Sequence, residues 1–110
     1  MSNVKEVVSE ALVAANKAAV EEFARYGNKD SYPCGFAWLV VNGVKLNSKV
    51  GKEFAALGFR KGYGKGAGIE LWNPSGLMVQ NVDIKLVGAQ AAAEVLREAG
   101  YDASAGSRWD

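Results

Sequence analysis

The first quarter of the chain has the hydrophobic spacing of one long amphipathic helix. Its apolar positions recur at intervals of three and four, which places them along one side of a helix. They are Val4, Val7, Val8, Ala11, Leu12, Ala15, Ala19, Phe23 and Tyr26. Asn3 is placed to cap this helix, with Glu6 three residues later in the capping-box position, and Gly27 is placed to end it. We therefore predict an N-terminal helix within residues 1–27.

The segment "GFAWLVV", residues 35–41, predicts the first strand. Alternation along a strand places two sets of side chains on opposite faces. One set is Phe36, Trp38 and Val40, and the other is Ala37, Leu39 and Val41. A strand that is apolar on both faces is expected at the centre of a sheet and covered on both sides.

The remaining pattern alternates between helix and strand. It predicts a helix at about 48–57, a half-exposed strand at 67–72, a turn at "NPSG", a strand at 77–82 and a helix at about 83–99. In the second strand Ile69 and Leu71 would lie on one side, with Glu70 and Trp72 on the other. Residues 102–110 are interpreted as a weak final strand or a tail.

After the first helix, the predicted order is β-α-β-β-α-β, the split βαβ or ferredoxin-like arrangement of an α+β protein. We predict one domain over residues 1–110, with its core at 35–105. The first and third strands are the most apolar and are expected in the middle of the sheet, with the second and fourth at its edges. Because such a sheet carries helices on one face only, we expect the N-terminal helix to cover part of the other face and a homodimer or larger oligomer to complete it.

The amino-acid composition restricts the possible catalytic and metal-binding chemistry more than the net charge does. The chain has 110 residues, a net charge of +1, one cysteine and no histidine. This excludes Ser-His and Cys-His nucleophiles and a structural zinc site, and no catalytic residue, metal or cofactor is indicated. The longest apolar run is too short to span a membrane, and the first residues lack a signal-peptide pattern, so we expect a cytoplasmic protein.

A glycine-rich basic segment, "RKGYGKGAG" at 60–68, is the main candidate for ligand binding. Its backbone N–H groups and positive charges suit an anion, although it lacks the Walker A spacing and a following helix. An aromatic side chain followed by an amide, Trp72 and Asn73, suits stacking on a base and reading its edge. The candidate ligand-binding residues are Arg60, Lys61, Tyr63, Lys65, Trp72, Asn73 and Arg108. The alternatives are a solvated loop and a Trp72 that packs on the sheet or at a subunit contact.

Two resemblances to known families add to this interpretation. The segment "VNGVKLNSKVGKEFAALGF", at 41–59, is similar to the first loop and helix of acylphosphatases, but their phosphate-binding arginine falls on Asn47 here. The combination "YPCGFAW", "LWNPSG" and a terminal "AGSR-x-D" resembles a family of small accessory proteins of tailed bacteriophages over about residues 30–110. That resemblance implies expression in an infected bacterial cytoplasm and binding of host proteins, nucleic acids or signalling nucleotides.

The function that these observations favour is non-enzymatic binding of an anionic small molecule such as a nucleotide. The first alternative is a protein-interaction module that inhibits a host or defence protein, because the doubly apolar sheet needs a cover. The second is a hydrolase of the acylphosphatase type, although Asn47 stands here where that family has its phosphate-binding arginine.

Overall fold

The computed structural model of the protein describes residues 3–30, 33–62 and 68–109. Within these residues the chain forms three helices and a four-stranded antiparallel sheet, an α+β architecture. The elements follow one another as α1 (Val4–Arg25), β1 (Gly35–Asn42), α2 (Lys49–Ala56), β2 (Arg60–Lys61), β3 (Ile69–Trp72), α3 (Val82–Glu98) and β4 (Asp102–Trp109).

The predicted N-cap of the first helix is confirmed, and the other two helices begin with caps of the same kind. Asn3 Oδ1 accepts a hydrogen bond of 2.8 Å from the Glu6 N–H at the start of α1. The side chains of Ser48 and Asn81 cap α2 and α3 in the same way, each accepting the N–H of the residue three positions later. A side-chain acceptor satisfies a backbone donor that the first turn of a helix leaves without a partner. Local sequence therefore sets where each helix begins.

The strand order in the sheet is β2-β3-β1-β4, and each neighbouring pair is antiparallel. The 35–41 segment lies in the interior of the sheet, as predicted. Its partner β4 pairs with it along all eight residues, from Gly35 opposite Trp109 to Asn42 opposite Asp102. Residues 102–109 are therefore a full edge strand rather than a tail.

The predicted strand at 77–82 is wrong. Residues 77–80 lie outside the sheet, and Asn81 forms only an isolated bridge with Cys34. The physical reason is that β3 and β4 already flank β1, and β3 ends opposite Trp38. On the β3 side, only the first residues of β1 have backbone groups that no strand pairs with. There the Gly35 N–H donates a hydrogen bond of 2.9 Å to the Gln80 carbonyl. The place of an inner strand falls instead to β3, and the short β2 at Arg60–Lys61 forms the edge.

One face of the sheet carries the hydrophobic core. Ala37, Leu39 and Val41 of β1 are buried there against α3, and the apolar side of α1 joins the same cluster. The contact between α1 and α3 is close because small residues meet in it: a Cβ added to Gly88 would lie 3.0 Å from the Ala15 carbonyl oxygen. All three helices therefore contribute buried side chains to one core.

The expectation that the N-terminal helix covers the second face of the sheet is wrong. The buried side chains of α1 pack in the cluster that contains Leu39 and Val41, which is the opposite face. Phe36 and Trp72, on the second face, stay 36% and 43% exposed. The alanine-rich stripe of α1 matches the small residues of α3, and this match decides its position. The second face is therefore left to solvent in the described chain.

Candidate functional site

The uncovered side of the sheet, here called the open face, is defined by the strand register. Residues directly opposite one another on neighbouring strands point to the same side. The register therefore groups Arg60 of β2, Glu70 and Trp72 of β3, Phe36, Trp38 and Val40 of β1, and Ser104, Gly106 and Arg108 of β4. Three aromatic rings, two guanidinium groups and one carboxylate thus share a single surface.

The three rings of the open face form one aromatic cluster, consisting of Phe36, Trp38 and Trp72. Trp38 and Trp72 lie directly opposite each other on β1 and β3, with centroids 5.0 Å apart and planes inclined by 33°. Phe36 meets Trp72 edge to face at 5.8 Å. These separations fall within the favourable range for aromatic pairs. The cluster is thus a connected apolar platform that remains partly in water.

A glycine on the neighbouring strand supports Trp38. Gly106 lies directly opposite Trp38 on β4, and a Cβ at position 106 would come within 2.6 Å of the indole Cε2. The indole therefore rests against the backbone of β4, where any side chain would displace it. Glycine inside a strand commonly marks such a close approach. This contact helps to fix the orientation of the platform.

Two cations lie near Phe36 at one end of the cluster. The Arg108 guanidinium carbon is 5.6 Å from the Phe36 ring centroid, and the Lys85 Nζ is 5.3 Å from it. Both distances suit cation–π attraction. Lys85 also donates a hydrogen bond of 2.8 Å to the Gly35 carbonyl, whereas Arg108 is exposed and has no such bond to the described chain. Of these two cations, Arg108 is therefore the one whose side chain makes no hydrogen bond within the described chain and can reach a ligand.

A groove of about 590 Å³ crosses the open face. It is lined by Trp38, Glu70, Trp72 and Arg108. Glu70 is half-buried, and its carboxylate leans towards Gly62, where an added Cβ would lie 2.9 Å from Glu70 Cδ. Within the described residues this carboxylate has neither a hydrogen-bond partner nor an ion-pair partner within 4.0 Å. Among the residues described, the groove thus offers an aromatic floor, the Arg108 cation and the Glu70 carboxylate as an acceptor.

The seven predicted binding residues do not all lie together in the structure. Arg60, Trp72 and Arg108 lie on the open face. Lys61 points to the other side of the sheet and borders a hollow next to residues 44–47. Asn73 is engaged in its own turn, where its side chain donates to the Leu77 carbonyl and accepts from the Ser75 hydroxyl. Tyr63 and Lys65 lie outside the described residues.

Sequence reasoning missed four residues of this site: Phe36, Trp38, Glu70 and Lys85. The alternation in β1 already placed Phe36 and Trp38 on one face, and Glu70 alternated with Leu71 on the side of Trp72. What was missing was the register between strands, which brings these side chains opposite one another. Lys85 gave no local signal, because its role depends on the position of α3 beside the start of β1.

The loop that resembles acylphosphatases is a separate feature. Asn47 is exposed and borders a hollow of about 360 Å³ shared with Lys61 and Gly68. The Ser48 hydroxyl already accepts the Gly51 N–H at 3.0 Å and donates to the Lys45 carbonyl at 2.6 Å. The start of α2 is therefore occupied by its own cap. An arginine at the position matched in that family is replaced here by Asn47.

Three comparisons with known proteins give no relative to reason from. No family model matches the chain, and neither characterised proteins nor solved structures show a significant match. Within residues 3–30, 33–62 and 68–109, no three acidic or cysteine side chains gather as metal ligands would. None of the helices described has the length and hydropathy needed to cross a bilayer. The open face is therefore the feature of the described chain from which a function can be inferred.

Proposed function

We propose that the chain is a non-enzymatic binding protein that holds an anionic small molecule, a nucleotide, on its open face. The observation that carries the proposal is the pair of a half-buried Trp38 and an exposed Trp72 in a groove that also contains Arg108. Aromatic rings on the two inner strands of a sheet provide a flat surface on which a base can stack. A guanidinium group at the edge of the same groove can hold a phosphate.

Two kinds of contact on the open face would contribute to the binding energy. Stacking of a base on an aromatic side chain contributes about 1–3 kcal/mol. An arginine can bind a phosphate through two parallel hydrogen bonds, which are stronger than hydrogen bonds between neutral groups. The chain as a whole is almost neutral, with a net charge of +1, so the attraction must be local. Arg108, which lines the groove, supplies it.

Isothermal titration calorimetry with AMP, GMP, CMP and UMP tests the proposal. The wild-type protein is expected to bind at least one of these nucleotides, and Trp72→Ala is expected to weaken that binding about tenfold, because stacking is lost. Trp109→Ala is the matched control: Trp109 is 76% exposed but lies opposite Gly35, on the other side of the sheet, and its removal should leave affinity within about twofold. Absence of binding to all four, or equal weakening by both variants, would refute the proposal.

A second candidate function uses the same face for a protein partner. The partial exposure of Phe36 and Trp72 favours it, because clustered exposed aromatic residues are enriched in protein interfaces. The partner would be a second copy of this chain or, following the resemblance to bacteriophage accessory proteins, a host protein. Sedimentation velocity of the wild type and Trp72→Ala separates the two functions. A dimer that Trp72→Ala dissociates and that nucleotides leave intact favours the protein partner.

We also propose that the architecture is of the ferredoxin-like type, with α1 added before it. The support is the element order from β1 to β4 and the inner position of β1 and β3. The hydrolase alternative has weaker support, since Asn47 stands where the acylphosphatase loop has its arginine. An assay for hydrolysis of an acyl phosphate tests it directly, and we expect no turnover.

A further inference from the structure

We infer that the groove selects guanine nucleotides, with Glu70 reading the base and Arg108 holding the phosphate. This inference rests on the proposed nucleotide binding. It adds a base preference and an orientation, neither of which follows from stacking alone, because every base has a face that can stack. Both would come from the two charged groups at opposite ends of the aromatic floor.

The strand register separates the two charges along a diagonal of the open face. Glu70 lies opposite Val40, whereas Arg108 lies opposite Phe36, four residues away along β1 and two strands across. With strands about 4.8 Å apart and a rise of about 3.4 Å per residue, the α-carbons are about 17 Å apart. Both side chains are long and shorten this span. Trp38 and Trp72 lie between them, in the middle of the groove.

The opposite charges define how a nucleotide can lie in the groove. At the Glu70 end the carboxylate faces Arg60 across the strands, so the two charges offset each other, whereas Arg108 lines the groove without a carboxylate opposite it; the phosphate therefore belongs at the Arg108 end. The base then stacks on the indole rings with its outer edge towards Glu70. The Glu70 carboxylate is half-buried and has no partner among the described residues, and an acceptor in such a place gains most from a ligand that donates hydrogen bonds to it.

A carboxylate selects among bases because it only accepts hydrogen bonds. Guanine presents two adjacent donors on its pairing edge, N1–H and the N2 amino group, which match the two oxygens of a carboxylate. Adenine and cytosine present one amino donor beside an acceptor nitrogen, and that nitrogen would face a carboxylate oxygen. Uracil presents one N–H between two carbonyl oxygens. Glu70 therefore pairs fully with guanine alone.

Fluorescence titration of a Trp109→Phe protein measures this preference. In that background Trp38 and Trp72 are the two remaining indoles, and both line the groove. The probes are GMP, IMP, AMP, CMP and UMP, which carry the same sugar and phosphate. GMP is expected to bind about tenfold more tightly than AMP, CMP and UMP, in line with the discrimination that a bidentate contact gives. IMP keeps N1–H but lacks the amino group, and its affinity should fall between those of GMP and AMP.

Glu70→Gln is the decisive variant, with Glu10→Gln on the exposed side of α1 as its control. The amide presents a donor as well as an acceptor, so GMP affinity should fall about tenfold to the level of AMP, while AMP itself changes little. Glu10→Gln should keep the guanine preference. The inference is wrong, while the nucleotide site stands, if all nucleotides bind equally to the wild type. It is also wrong if Glu70→Gln keeps the guanine preference, as it would if Arg60, which lies opposite, neutralises the carboxylate. If no nucleotide changes the fluorescence, the proposed function fails as well.

Discussion

The position of the Trp38 side chain depends on Gly106, a residue with no side chain. Its indole lies on the backbone at Gly106, and the ring then contacts Trp72 at 5.0 Å. A larger residue at 106 would push the indole towards solvent and open the pair. The geometry of the aromatic cluster thus depends on a position that carries no functional group of its own.

We therefore predict that Gly106→Ala disturbs the cluster without unfolding the protein. The added Cβ collides with the indole, so Trp38 must turn away, and the loss of packing should cost about 1 kcal/mol in the free energy of unfolding. Near-ultraviolet circular dichroism should lose part of its tryptophan signal. Ser104→Ala, two residues away on the same face, is the control and should change neither quantity. An unchanged spectrum in Gly106→Ala would contradict the close contact.

At the residue scale, the sequence predicted part of the site and missed the rest for a definite reason. Alternation within 69–72 correctly assigned Trp72 to the side opposite Ile69, which is buried. Alternation does not tell which residue of another strand lies opposite, and the pairs Trp38–Trp72 and Phe36–Arg108 depend on that register. Asn73 illustrates the converse: its amide suited base recognition, but the structure uses it to hold the turn.

At the scale of elements, helices were easier to predict than strands. Hydrophobic periodicity located all three helices to within one or two residues, and Asn3 marked the start of the first, since both signals are local. The prediction of a strand at 77–82 was wrong because an apolar run does not show whether a neighbouring strand still has unpaired backbone N–H and C=O groups. Here the carboxylate of Asp30 accepts the N–H groups of Gln80 and Asn81, at 2.7 and 2.9 Å, and fixes the segment outside the sheet.

The packing of α1 on α3 gives a prediction at this scale. A side chain at Gly88 would meet Ser75 at 2.8 Å and the Ala15 carbonyl at 3.0 Å, so Gly88→Val should force the helices apart. We expect a loss of about 2 kcal/mol in the free energy of unfolding, measured by urea denaturation. Gln90→Val, at an exposed position of the same helix, is the matched control for valine in a helix and should cost less than about 0.5 kcal/mol. Equal losses in both variants would contradict close packing.

At the scale of the whole molecule, the fold separates the hydrophobic core from the proposed binding surface. The helices and the face of the sheet that contains Leu39 form the core, whereas the open face carries exposed rings and charges. Substitutions on the open face can therefore change binding while the core remains intact. This division follows from placing all three helices on one side of a single sheet.

The location of the ligand is the central claim, and the three tryptophan indole N–H groups test it most directly. An NMR titration of isotope-labelled protein with GMP follows each indole signal separately, with assignments taken from single Trp→Phe variants. We predict that the signals of Trp38 and Trp72 shift with a common saturation curve while that of Trp109, on the other side of the sheet, stays in place. Shifts confined to Trp109 or to residues 43–47, or no shift at all, would contradict a nucleotide site on the open face.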